Sequence, residues 1–163
     1  MIADTIRKHI AHWQDVLRLR DWDIKLEMAP AEWRKSGDVK VDLDDKKAVL
    51  IINERPRTEN LEELVVHELI HVRLWAMDQM LVELLDAVYG KDEDDPKRAF
   101  AYGQFFTTLE STTEDLTKAL LAAAGRGDNL SFGRLRGQVE GEIGPGRCGN
   151  DDPGPRAGGE RSP

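Results

Sequence analysis

Two histidines and a glutamate stand at ligand spacing in the middle of this chain, where residues 67 to 71 read His67-Glu68-Leu69-Ile70-His71. On a helix, side chains at i and i+4 point the same way one turn apart. Both imidazoles can then reach one Zn²⁺, while the intervening Glu68 faces the water on that ion. A buried helix whose histidines merely bonded carbonyls would have no need of a Glu between them, and the chain has only four His in all.

The surrounding residues specify the helix that such a motif needs. Asn60 can cap its first turn with Glu63 as capping-box partner, and Glu59, Glu62 and Glu63 put negative charge at the positive end of the helix dipole. Leu61, Leu64, Val65, Glu68, Leu69, Val72 and Trp75 follow the three-and-four spacing of a buried face. A catalytic zinc needs a third protein ligand and an open position. His9 and His12 lie far upstream in an amphipathic segment, and Cys148 is alone in a Gly/Pro-rich tail, so a carboxylate is what remains. Residues 105 to 120 read as a further helix. Its apolar face, Phe105, Phe106, Leu109, Leu116 and Leu120, adjoins a stripe of Glu110, Thr113, Glu114 and Thr117 that carries acids one turn apart.

His67-Glu68-x-x-His71 followed by a helix bearing Glu110-x-x-x-Glu114 resembles the gluzincin branch of the zinc metallopeptidases. The resemblance implies one Zn²⁺ per chain, with Glu110 as third ligand and Glu114 as the acid that orients His67 or His71. Many gluzincins have Asp where Glu114 stands. Over roughly residues 10 to 123 the chain is also similar to small metallopeptidase-like proteins of phages and prophages, with a short sheet ahead of the zinc helix. The implied fold is α+β and zincin-like: an N-terminal helix, a small, mainly antiparallel three-stranded sheet, the HExxH helix and the glutamate helix.

The rest of the chain reads in that order. Ile2, Ile6, Ile10, Trp13, Val16 and Leu17 recur at helical spacing, which leaves His9 and His12 on a flank. Segments 22–28 and 39–43 alternate as strands, and 48–53 is a more continuous apolar strand joined to the second by a turn at Asp44-Asp45. The resemblance implies that this last strand offers an edge for an extended peptide. Trp13 and Trp33 read as packing residues, and the charged stretch from Lys91 to Lys97 as a solvated loop. The zinc helix can run on through Met77, Met80, Leu81, Leu84, Leu85 and Val88 to a Gly90 C-cap. From Gly125 the composition changes, with 11 of the 14 Gly and four of the seven Pro in the last stretch. Residues 1–124 are therefore expected to form the zincin-like domain and 125–163 a disordered tail, with Leu130, Phe132 and Leu135 too sparse for more than weak docking.

At 163 residues and 40% hydrophobic, the chain can bury one core. Its net charge of -8 argues against general affinity for nucleic acid or anionic membranes and favours a basic substrate. A single Cys, no signal-like N-terminus and no apolar run of membrane-spanning length point to the cytoplasm, the host's if the chain is phage-encoded.

The expected activity is peptide-bond hydrolysis by a zinc endopeptidase rather than an exopeptidase, acting on a peptide or protein with Glu68 as general base. Tyr89 and Tyr102, which flank the loop between the two helices, are the candidate oxyanion donors. Two alternatives remain open. One is a zincin-fold interaction module that does not cut; the other is a protease of DNA-bound proteins recruited through Arg126, Arg134, Arg136 and Arg147.

Overall fold

The computed structural model describes residues 2–127 and 133–143. Met1–Ser131 is one compact unit. It opens with helix α1 (Ile2–Val16), whose Ile6, Ile10 and Trp13 are buried. The helix ends at Val16, Arg18 then takes a left-handed φ of 57°, and the Gln14 side-chain amide donates to the carbonyls of Leu19 (2.9 Å) and Trp22 (2.7 Å). That clamp turns the chain directly into the sheet.

Strands β1 (Asp23–Ala29), β2 (Gly37–Asp42) and β3 (Lys47–Asn53) form one sheet in the order β1-β3-β2. β2 and β3 are the expected hairpin, antiparallel from Asp42↔Lys47 to Gly37↔Ile52, with the Asp45 amide donating to Asp42 Oδ1. β1 lies parallel to β3, Asp23 opposite Lys47 and Ala29 opposite Asn53. The sheet is therefore mixed rather than mainly antiparallel, and β3 is its centre, not an edge. The hairpin occupies one side of β3, which leaves the other side for β1; Ala48, Leu50 and Ile52 are buried in the core as a central strand requires. Asn53, 3% exposed, holds the β1–β2 connection in place. Its side-chain amide donates to the carbonyls of Trp33 (2.8 Å) and Lys35 (3.1 Å), and its backbone amide to that of Ser36. This clamp fixes where Gly37 enters the sheet.

Helix α2 (Leu61–Tyr89) starts at Asn60, whose side chain accepts the Glu63 amide (3.0 Å), and ends at Gly90 with φ 86°. Its first three turns are enclosed by neighbouring elements, and Leu64, Val65, Val66, Leu69, Ile70 and Val72 are all buried. Glu62 ties this end down. It accepts from Trp13 Nε1 (2.7 Å) and from Arg126, and lies 3.6 Å from His9 Nδ1.

Helix α3 (Pro96–Ala123) begins well before the expected 105, because Asp95 caps it by accepting the Lys97 and Arg98 amides and Pro96 is already set for a first turn. Lys97 thus belongs to the helix rather than to a solvated loop. Arg98 donates to Asp86 (2.7 Å) and closes the α2–α3 hairpin. The buried face of α3 is Leu109, Thr113, Thr117 and Leu121, whereas Phe106 and Leu116 are exposed. Small threonines let α3 approach α2 closely beside the motif, and the Thr117 hydroxyl satisfies itself on the Thr113 carbonyl (2.8 Å).

Within the stretch read as a disordered tail, Gly133–Ile143 forms helix α4, with Leu135 and Ile143 exposed. Arg134 and Arg136 belong to α4, whereas Leu130, Phe132, Arg147 and Cys148 lie outside the described residues. No helix among the described residues is long and apolar enough to cross a membrane.

Candidate metal centre

Because α2 is regular through residues 67 to 71, His67 and His71 leave it on one side, and their Nε2 atoms approach to 3.1 Å. α3 packs antiparallel against that side and brings Glu110 onto the pair. One carboxylate oxygen lies 3.1 Å from His71 Nε2 and the other 3.7 Å from His67 Nε2. His67, His71 and Glu110 form a group that could hold a metal ion, each offering one ligand atom, all within 4.8 Å of one another.

The spacing can be compared with what a small ion demands. A tetrahedral ion with bonds of about 2.0–2.1 Å holds its ligand atoms about 3.3–3.4 Å apart. The separations of 3.1, 3.1 and 3.7 Å bracket that value. The donor set fits a divalent ion, two imidazoles and a carboxylate with no fourth protein ligand in the group among the described residues.

Glu114, one turn after Glu110, places Oε2 3.3 Å from His67 Nδ1, the nitrogen that faces away from the group. An acid at such a position can fix an imidazole's orientation and tautomer. Lys118 Nζ, 3.1 Å from Glu114, holds the carboxylate from the far side. Burial alone would lower the His67 pKa, but the Glu110 hydrogen bond and the charges of Glu68, Glu110 and Glu114 outweigh it and hold it above the ordinary value. Those same two imidazoles hold the Glu110 carboxyl well below the usual carboxylate range.

Glu68 projects to the sheet side of α2, 6% exposed. Burial pushes its pKa up to about 7, with His67 and His71 pulling the other way and Asp38 and Glu110 adding to the rise. The residue facing it is Gly37, at the head of β2, where a Cβ would overlap Glu68 Oε1 and lie 3.0 Å from its Cδ. Gly37 was not singled out from the sequence. The available signal was a lone glycine at the start of a strand, which often marks close approach of another group.

The two tyrosines part company. Tyr89 ends α2, 22 residues beyond His67, which at about 1.5 Å per residue is on the order of 30 Å along the axis. It is not brought to the site. Tyr102 stands on the Glu110 stripe of α3, two turns before it, with its ring stacked on Phe106. His9 is engaged with Glu62 and His12 is exposed against the edge of Trp13, so neither joins the metal group.

In comparisons with family models, curated proteins and solved structures, the chain matches none.

Proposed function

We propose that this chain is a zinc-dependent peptidase, with His67, His71 and Glu110 as ligands, Glu68 as general base and Glu114 as the acid that orients His67. The observation that carries the reading is Glu68, a buried carboxyl set against Gly37 on the same helix that supplies His67 and His71 to a three-residue group that could hold a metal ion. Metal storage or a purely structural ion has no use for an acid at that position, whereas hydrolysis does.

Bound Zn²⁺ would supply Lewis acidity, polarising the scissile carbonyl and making water a nucleophile near neutral pH. The chain's own residues do the rest. Glu68 takes the proton of the attacking water as its oxygen bonds to the carbonyl carbon. It then gives that proton to the amide nitrogen as the C–N bond breaks. A carboxyl held largely out of water suits a group that must both accept and return a proton. The extended substrate lies along β2, the edge strand that carries Gly37 against Glu68, and pairs through main-chain hydrogen bonds. The edge first expected on β3 thus falls to its hairpin partner.

Two measurements test this. Metal analysis of protein expressed with ample zinc should give one Zn²⁺ per chain, lost in Glu110→Ala. Glu68→Gln should keep the metal and lose hydrolysis of an unstructured peptide mixture by several orders of magnitude. Zinc-loaded protein that cleaves nothing would favour the non-cutting interaction module, and full activity in Glu68→Gln would reject the mechanism.

A further inference from the structure

The α3 stripe that carries Glu114 and Glu110 continues at four-residue spacing into Phe106 and Tyr102. Their rings stack, with centroids 6.0 Å apart and planes 21° from parallel. They remain 45% and 37% exposed. Neither is needed to cover the core on this helix, whose buried face is Leu109, Thr113, Thr117 and Leu121. Two aromatic faces therefore stand open to solvent beside the metal centre, the nearer one turn from its carboxylate ligand.

The charges around them are unbalanced. Burial, then Asp78 and Glu93, and more weakly Glu110, raise the Tyr102 phenol, against the single opposing effect of Arg98. Arg98 is already committed to Asp86 through Nε (3.1 Å) and Nη2 (2.7 Å), and Glu110 to the histidines. Asp78, which accepts from Gln79 Nε2 (3.2 Å), and Glu93 add negative charge near a pair of π faces whose own quadrupole is negative. That combination attracts a cation. An acidic side chain would be repelled, and a neutral one would gain nothing from the carboxylates.

We infer that Tyr102 and Phe106, with Asp78 and Glu93 beside them, form a subsite for a Lys or Arg side chain of the peptide substrate. The inference rests on the peptidase reading and narrows its substrate class to basic peptides, in keeping with a chain of net charge -8. Phe106 and Tyr102 lie about 6 and 12 Å from Glu110 along the helix axis. An extended peptide advances about 3.3 Å per residue, so side chains within a few positions of the scissile bond span distances of that order.

The test uses the full zinc-loaded chain and a series of unstructured peptides in which Arg, Lys, norleucine or Glu occupies each of the four positions on either side of a cleaved bond. Arg or Lys at one of these positions should raise kcat/KM about tenfold over norleucine, with Glu below both. Phe106→Leu and Tyr102→Leu, which keep apolar bulk but remove the π faces, should collapse that ratio towards unity while zinc content stays at one per chain. Asp78→Asn should weaken it and reduce its dependence on salt. Equal rates for Arg and norleucine at every position, or a ratio that survives both Leu variants, would overturn the subsite. If no peptide is cleaved, the peptidase reading fails separately, and anisotropy titration of the same labelled peptides decides the subsite: preferential binding of Arg peptides lost in Phe106→Leu upholds it, and indifferent binding overturns it.

Discussion

Replacing Gly37 with Ala asks whether the position of the Glu68 carboxyl matters. An added Cβ would overlap Glu68 Oε1 and come within 3.0 Å of both Glu68 Cδ and Leu64 Cδ1. Carbon atoms rest comfortably at about 3.5–4.0 Å, so something must retreat by about 0.5–1 Å. Leu64 is fixed in the core at 8% exposure, whereas the Glu68 carboxyl is the end of a flexible side chain, so Glu68 yields. Displacing a catalytic group by about 1 Å costs about 10²-fold in rate. The fold loses less, since the strain is relieved by one rotamer and falls at the low end of the roughly 1–3 kcal/mol seen for overpacking. On the proposed function the variant should still take up one zinc, because His67, His71 and Glu110 are not among the residues the new methyl meets. It melts a few degrees lower and hydrolyses a fluorogenic peptide about a hundredfold more slowly. Undiminished kcat/KM would refute the role given to Glu68. Loss of zinc together with activity would move the effect to the ligands, and global unfolding would show that β2, not the side chain, gives way.

Three other outcomes follow from the same geometry. Glu114→Gln removes the carboxylate 3.3 Å from His67 Nδ1 and should weaken zinc binding about 10–100-fold in competition with a chromophoric chelator, so an unchanged affinity would detach Glu114 from the site. In metal-free protein, the raised Glu68 pKa means that the neutral form is favoured on folding: its stabilising effect is full below about 4.5 and is lost as pH rises through about 7. Chemical denaturation with a chelator present should show Glu68→Gln gaining roughly 3 kcal/mol on the parent chain over that interval, and parallel pH profiles would contradict the burial argument. Ending the chain after Ser131 should leave melting and zinc content unchanged, whereas ending it after Ala124 should lower the melting point by removing the Arg126–Glu62 pair and the Gly125 and Arg126 amides that bond back to Ala122 and Leu121. Equal losses from both truncations would show that α4 and its flanks support the domain.

Much of the fold was readable where the signal is local. The Asn60 cap, the length of α2 to Gly90 and the β2–β3 hairpin each depend on residues a few positions apart. Strand order was not, because alternation in β1 suits a parallel or an antiparallel neighbour equally. The near-continuous apolar run of β3 was itself a sign of a strand buried between two others, and it outweighs the expectation of an edge there. The start of α3 was hidden by charge: Asp95-Pro96 is a cap and first turn, yet it closes an acidic stretch that reads as loop.

The site divides along the same line. His67, Glu68 and His71 share one helix, so backbone geometry alone sets their relation, and Glu110 with Glu114 repeats that logic on a second helix. Which face of α3 turned inward could not be taken from its largest apolar residues. Phe106 and Leu116 point outward because the helices must come close enough for Glu110 to reach both imidazoles, and threonines at 113 and 117 permit that approach where leucines would hold them apart. Gly37 lies further still from what spacing can reveal. It meets Glu68 only because Asn53, at the end of another strand, fixes the connection that delivers it. Its contribution is an absent side chain, so the space around the Glu68 carboxyl is set by three segments of chain and written in none of them alone.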